Sequence, residues 1–290
     1  MPELPEVETM RRGIATAIGM RVDTVEVPAG RLRPLLMQPP PRELAAEVCG
    51  CVIEAAERHG KRIALRLGSP GTSRRQAATG CRWLVIEPRM TGLLLVAEPP
   101  SQEHVRLRLG GRCERGSQQQ LLFWDRRGLG TVRLVDAAGL EQLCGPSRLG
   151  PDALTIDTAT FASRLRDSTR AVKVALLDQR AVAGIGNLYA AEMLFHAGID
   201  PRVRCRQLSR VRWGRLHAVM QEVLAEAVEL EGSTLSDATY RTALNEPGRY
   251  QARHRVYGRE GQPCPACGTA IRRIVQAQRS TFFCPQCQCR

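Results

Sequence analysis

The stretch CPACGTAIRRIVQAQRSTFFCPQC, Cys264 to Cys287, decides how the last part of this chain folds. It holds two Cys-x-x-Cys knuckles, Cys264/Cys267 and Cys284/Cys287, with sixteen residues between them. Two such knuckles supply four thiolates in tetrahedral range, the ligand set of one structural zinc ion. Four thiolates leave no open position for water, which argues against a catalytic zinc. The competing reading is two coincidental reduced pairs. Between the knuckles IRRIVQAQRSTFF alternates apolar and polar residues, the period of a strand, and reads as a β-hairpin carrying Arg272, Arg273 and Arg279. A zinc-pinned basic hairpin is a compact way to press arginine onto phosphate.

The rest of the chain agrees with a polyanionic partner. Its 290 residues can bury a sizeable core and form two or three domains, and a net charge of +13 with a pI near 9.8 points to nucleic acid or an anionic membrane surface. The longest apolar runs, such as Leu93 to Ala97, fall far short of the roughly 20 residues that span a bilayer. The start lacks the basic segment and apolar core of a secretory signal, so the expected location is cytoplasmic. Eleven cysteines in such a chain do not suggest a disulfide framework; the seven outside the tail read as buried or partly buried thiols. Of the 42 Lys and Arg, only Lys61 and Lys173 are lysine. Codon bias explains an arginine excess, but it leaves room for two sites that need a compact ammonium.

Periodicity divides the chain. Val7, Met10, Ile14 and Ile18 recur at helical spacing up to the stop signal Gly19. Short apolar runs follow from about Val22 to Val135: RVDTVEV, RIALRL, CRWLVIE, GLLLVA, HVRLRL, QLLFW and TVRLV, the spacing of an antiparallel sandwich or barrel. Gly68 to Gly80 and Gly110 to Gln119 read as surface loops. Helical spacing takes over in ATFASRLRD, VKVALLDQRAV, NLYAAEMLFHAG and SRVRWGRLHAVMQEVLAEAVEL. The expected fold is an α+β multidomain protein: residues 1–137 a β-sandwich with an N-terminal helix, 138–256 a helical domain, 257–290 a zinc hairpin.

Two further stretches carry chemistry. In AVAGIGNLYAAEMLF the turn Gly184-Ile185-Gly186 leads into a helix near Asn187, aiming free N–H groups at an anion, although such a turn is more often mere connection. It has neither the third glycine of a dinucleotide fingerprint nor the Lys-Ser/Thr of a P-loop, so no nucleotide cofactor is expected. The chain also begins MPELPEVET, with Glu3 and Glu6 flanking Pro5; on residues alone, acid in a first helical turn is sufficient explanation.

Together the segments PELPEVET, HGKR around Lys61, MTG at Met90, DRRGLG from Asp125 to Gly130, LLDQRAVAGIGNLYAAEMLFHAGIDP, YGREGQPCPACG and RSTFFCPQCQ resemble the formamidopyrimidine-DNA glycosylase and endonuclease VIII family of base-excision repair enzymes. PELPEVET is closer to the formamidopyrimidine branch. The resemblance covers nearly the whole chain and implies a monomeric glycosylase and abasic-site lyase acting on oxidised purines in damaged double-stranded DNA. It implies a helix–two-turns–helix motif in the helical domain, DNA across the cleft between the lobes, and one structural zinc. If Met1 is removed, Pro2 becomes a secondary amine with an α-amino pKa of roughly 8 that can attack C1′ of a deoxyribose and form an iminium. Glu3 is then a general acid, Glu6 a support for the helix start, and Lys61 a phosphate contact on a β-hairpin that assists the chemistry. Lys173 matches a lysine that handles the oxidised base. Asn187 and Arg279 hold the backbone at the lesion, and His104 lies among the DNA-contacting residues. Met90, Arg127 and Leu129 fill the hole left by the extruded base.

The sequence departs from the family pattern at several points. Leu129 stands where the family has Phe, Glu87-Pro88-Arg89-Met90 replaces His-Leu-Gly-Met, Arg106 replaces an aspartate, and Gly68 to Gly80 looks inserted. The stretch from Thr234 to Tyr250, where such enzymes cap an oxidised purine, is present. Two other readings stay open: a same-fold enzyme for oxidised pyrimidines or single-stranded DNA, and a damaged-DNA binder without catalysis.

Overall fold

The computed structural model describes residues 2–28, 33–68, 81–113 and 116–289, and within it the chain forms two compact units. The first comprises Met1–Gly145 and Leu230–Arg249; the second comprises Pro146–Glu229 and Tyr250–Arg290. The presumed insertion at 69–80 and Met1 lie outside the described residues.

Helix α1 (Leu4–Gly13) opens the first unit, followed by β1 (Arg21–Glu26), β2 (Leu36–Gln38), α2 (Pro41–Val48), β3 (Val52–His59), β4 (Arg62–Gly68), β5 (Arg82–Glu87), β6 (Gly92–Leu95), β7 (Val105–Arg112), β8 (Gln118–Asp125), β9 (Thr131–Val135) and α3 (Ala137–Cys144). The nine strands hydrogen-bond in the order β2-β9-β5-β4-β3-β1-β7-β8-β6. Every pair is antiparallel except β2 with β9. One core draws Val22, Ile53, Leu65, Leu84, Leu94, Leu109, Phe123 and Val132 from both halves of this ladder, closing it as the expected sandwich. α1 adds Val7 and Met10 to that core. After Gly13 the chain tightens into a 3₁₀ turn, Ile14–Ala17. The tighter winding shifts the phase, so Ile18, read as part of the apolar stripe, is 41% exposed.

Residues 230–249 pack with the first unit, not with the helical segment to which the sequence division gives them. Val96 N–H donates to the Ala243 carbonyl at 2.9 Å, and Tyr240 and Ala243 enter the core. Gly13 permits this approach, because a Cβ there would stand 2.6 Å from the Ala243 Cβ. Gly110–Arg112 and Gln118–Gln119, read as loop, belong to β7 and β8.

The second unit holds α4 (Thr158–Leu165), α5 (Val172–Leu176), α6 (Asn187–His196), α7 (Arg210–Glu229), β10 (Arg272–Gln276) and β11 (Arg279–Phe283). α5 stops far short of the helical pattern read through Val182, and Leu177 onwards forms turns. β10 and β11 pair antiparallel from Arg272↔Phe283 to Gln276↔Arg279, the hairpin expected between the cysteine knuckles. A small core of Ala191, Val256, Cys264, Ile271 and Cys284 backs it. Buried Glu192 on α6 accepts the N–H groups of Arg255, Val256 and Tyr257 at 2.8, 3.0 and 2.7 Å. Burial raises its pKa and the backbone donors oppose that rise. Rings continue the connection: Tyr250–His254, His254–Tyr257 and Tyr257–Phe282 centroids lie 5.8, 6.0 and 5.3 Å apart.

Candidate nucleic-acid site and zinc centre

Pro2 and Glu3 are buried at the head of α1. Glu3 is the N-cap; its N–H donates to Glu6 Oε2 at 2.8 Å, while the other Glu6 oxygen accepts the Ser233 N–H at 2.9 Å. One buried carboxylate thus fastens both the chain start and the 230–249 segment. Gly232 lies against it with φ +76°, and a Cβ there would sit 2.8 Å from Glu6 Oε1. Only a residue without a side chain fits both demands.

Lys61 occupies the two-residue turn between β3 and β4, with His59 paired to Arg62 and Gly60 at φ +58°. Glycine with positive φ at the first loop position suits a tight hairpin. The turn is tethered to α1: Arg58 Nε donates to Glu8 Oε2 at 3.0 Å and Arg58 Nη1 to the Gly60 carbonyl at 3.2 Å. Burial pushes the Glu8 carboxyl up, but hydrogen bonds and charge from Arg11, Arg12 and Arg58 outweigh it and hold the pKa at about 2.

The three presumed void-filling residues converge. Met90 lies in the turn between β5 and β6 and is 37% exposed; Arg127 is exposed and Leu129 half-buried after β8. Gly92 pairs with Asp125, which puts the two turns side by side. Fully buried Asp125 accepts from the Thr91 hydroxyl, from Gly130 N–H at 2.8 Å and from Arg127 N–H at 3.2 Å. Arg106, the replacement for aspartate, donates from Nε to the Asp125 carbonyl at 2.8 Å and braces the same loop. Arg89, at the family's glycine position, has φ +52° and pairs with Glu87 at 3.4 Å; Glu87 also pairs with Arg62, beside Lys61, at 3.3 Å. His104 packs on Trp124 at 5.4 Å between centroids, with Ser101 Oγ 2.9 Å from Nδ1, so its ring is largely covered.

In the second unit Gly184 has φ +104° and Asn187 begins α6. Gln179 braces the glycine turn: its Oε1 accepts the Gly184 N–H at 2.9 Å, and its Nε2 donates to the Ile185 carbonyl at 2.8 Å. Asn187 Nδ2 donates to the Ser280 carbonyl at 3.0 Å, which ties α6 to the hairpin that bears exposed Arg279. Lys173 departs from expectation. It has no exposed surface, so it does not present itself to a base or to phosphate. Its Nζ donates to Asn187 Oδ1 at 2.6 Å, Thr281 Oγ1 at 2.7 Å and the Ser280 carbonyl at 3.0 Å. An ammonium has three donors, and these acceptors use all three; a planar guanidinium cannot reproduce that arrangement.

The four tail cysteines converge as expected, their sulfurs all within 4.8 Å of one another, with Cys264–Cys287 at 3.8 Å and Cys267–Cys284 at 3.5 Å. Thiolates at about 2.3 Å from a tetrahedral zinc lie about 3.8 Å apart, so the set fits one structural zinc ion. Of the other cysteines, Cys49 and Cys289 are exposed instead of buried.

A nine-stranded sandwich with a buried proline–glutamate start, a glycine turn opening a helix, and a four-cysteine hairpin together define the architecture of a DNA glycosylase of the helix–two-turns–helix class. Residues 1–132 match the formamidopyrimidine-DNA glycosylase N-terminal domain, 149–239 the formamidopyrimidine-DNA glycosylase H2TH domain, and 261–289 the zinc finger found in FPG and IleRS. A formamidopyrimidine-DNA glycosylase of Chloroflexus aggregans is 43% identical over 290 residues, covering 99% of this chain and 98% of that one. The crystal structure of the MutM (FPG) protein from Thermus thermophilus superposes with a TM-score of 0.81 at 38% identity, covering 99% and 98% of the two chains. A Lactococcus lactis FPG mutant in complex with a Fapy-dG containing DNA gives a TM-score of 0.84 at 31% identity, with both chains fully covered. The chain belongs to the formamidopyrimidine-DNA glycosylase family.

Proposed function

We propose that this protein excises oxidised purines from double-stranded DNA as a bifunctional glycosylase and abasic-site lyase, acting as a monomer in the cytoplasm on nucleoid DNA. The observation that carries the reading is the buried Pro2–Glu3 start, fixed by Glu6 and tethered through Glu8 and Arg58 to the turn that holds Lys61. Among the described residues, no helix is long and apolar enough to cross a membrane.

With Met1 removed, the Pro2 nitrogen attacks C1′ of the damaged nucleotide. The N-glycosidic bond breaks and the base leaves with a proton from Glu3. The Pro2 nitrogen gives up its proton and the C1′–O4′ bond of the resulting aminal breaks, O4′ taking a proton, so that the opened sugar is held as an iminium; this acidifies the adjacent sugar carbon, and loss of that proton expels the 3′ phosphate and cuts the strand. Lys61 holds phosphate close to the lesion. Asn187 and Arg279 position the backbone, whereas Met90, Arg127 and Leu129 occupy the vacated stack. Lys173 serves this arrangement from inside, by orienting Asn187. The residues that would hold zinc are Cys264, Cys267, Cys284 and Cys287; the ion pins the hairpin that carries Arg279 and takes no part in bond breaking.

Borohydride trapping on duplexes carrying 8-oxoguanine opposite cytosine, thymine glycol, or an abasic site tests the reading. Adducts on the 8-oxoguanine and abasic duplexes that map to Pro2 are the expected result. Faster trapping on thymine glycol than on 8-oxoguanine would move the substrate to pyrimidines. Tight binding without an adduct on any duplex would make the protein a binder.

A further inference from the structure

Between Pro201 and Gln221 the chain carries Arg202, Arg204, Arg206, Arg210, Arg212 and Arg215 and no acidic residue. With 42 basic and 29 acidic residues in 290, a window of 21 at average composition holds about three basic and two acidic, so general arginine richness does not explain this block. The fold turns the block outward. Val203, Cys205 and Leu208 are buried, whereas Arg202, Arg204, Arg206, Arg210 and Arg215 are exposed. Among the described residues only Arg202 of the six makes an ion pair, with Asp200 at 2.5 Å; Arg212 donates to the Cys289 carbonyl at 2.8 Å.

The placement also opposes local helix energetics. α7 begins at Arg210 with no acid in its first turn, so Arg210 and Arg212 face the positive end of its dipole, where cations are disfavoured. Self-repulsion among closely set cations adds to that cost, and a polyanion relieves both. Two cavities open along the block. One of about 420 Å³ is lined by Arg202, Arg204 and Arg212; another of about 490 Å³ has Arg166 and Arg210 in its lining beside Leu208 and Trp213.

The block borders the hairpin that carries Arg279: Gln276 Nε2 donates to the Pro201 carbonyl at 3.2 Å, and the Arg202 guanidinium lies 4.9 Å over the Phe283 ring. It also meets the entry to α5, where Val172 N–H donates to the Val203 carbonyl at 2.7 Å. We infer that the arginines from Arg202 to Arg215 continue the phosphate-binding surface past Asn187 and Arg279 and hold the DNA backbone that flanks the lesion. The protein can then stay attached to neighbouring DNA while the lesion site is empty.

The triple variant R204Q/R206Q/R210Q tests this, with R204K/R206K/R210K as the charge-preserving control and thermal unfolding and zinc content confirming the fold of both. On a long undamaged duplex the log–log salt dependence of binding should become shallower by about 2.7 in the glutamine variant, about 0.9 per lost phosphate contact, and stay unchanged in the lysine variant. Single-turnover excision from a short lesion duplex should stay within about twofold of the parent. An unchanged salt slope would overturn the inference and leave the surface to solvent or to an acidic protein. An equal loss on the short lesion duplex would also overturn it, by making the block part of the lesion site. If neither protein cuts the lesion, the enzymatic reading fails, while the salt slope still judges this surface.

Discussion

The two units solve the same problem, holding a few polar groups still, by different means. In the first, backbone register does most of the positioning: β6 against β8 brings Met90 beside Arg127 and Leu129, and the β3–β4 turn presents Lys61, all over one large apolar core. In the second, side chains such as Phe161, Tyr189, Trp213, Leu216 and Leu224 are buried as well, but the site groups are fixed by buried polar clips: Lys173 on Asn187, Glu192 on three N–H groups, and four cysteines. Register is shared among many weak contacts, whereas a clip fails when one atom changes. The second unit should therefore be the more fragile to single substitutions and to solution conditions.

Zinc removal gives the strongest contrast. Structural zinc contributes on the order of 10 kcal/mol to a small finger, so chelation or Cys284→Ser should unfold the hairpin and abolish cleavage while the first unit keeps its protection in hydrogen exchange. Loss of protection in both units together would break the contrast. Next comes Lys173→Met, which leaves the acceptors Asn187 Oδ1 and Thr281 Oγ1 in a buried site and should cost about 3 kcal/mol in denaturant unfolding. Lys173→Arg should fail to restore stability, since a guanidinium does not match the three acceptors.

Acid separates the units in order. Burial, reinforced by the Arg259 charge, lowers the His254 pKa from 6.5 to about 4. The unfolded chain then binds a proton that the folded chain refuses, so stability of the second unit falls as pH drops through that window. Glu8 is the opposite charge type but is also depressed, from 4.5 to about 2; its contribution is intact above 4.5 and lost between 4.5 and 2. Each effect should be about 2 kcal/mol after allowance for solvent screening. Hydrogen exchange resolved by unit should show the second loosening first, and His254→Gln should remove its step. The smallest effect lies in the first unit. Arg89→Gly relieves a left-handed arginine at the loss of a surface ion pair and should raise stability by about 0.5–1 kcal/mol, read as a small rise in melting temperature.

What the sequence made legible follows the same division. The zinc hairpin, the glycine turn and most strands could be read because spacing and alternation report them directly. β3 escaped notice, since VIEAAERH is rich in helix formers and a register shift between Ile53 and Ala55 breaks its alternation. Asp125, Thr91 and Gln179 carry no pattern of their own; their importance arises only when the chain closes and backbone N–H groups point at them. Lys173 stands out in the sequence by the scarcity of lysine, and the family resemblance sets it against the oxidised base, whereas the fold sets it inside with three acceptors around its ammonium. The return of residues 230–249 to the first unit depends on Gly13 and Gly232, which are unremarkable in sequence, and on Glu6, for which the sequence implies only a support of the helix start.

The scarcity of lysine also makes this chain unusually easy to label. Lys173 is sealed and Lys61 sits on a turn, so reductive methylation with ¹³C-formaldehyde should mark Lys61 and the chain terminus and little else. The terminal signal is informative in itself: a chain that begins at Pro2 takes one methyl group, whereas one that keeps Met1 takes two. An NMR spectrum of only a few resonances would then report the processing of the terminus and, through Lys61, the arrival of phosphate in the same sample.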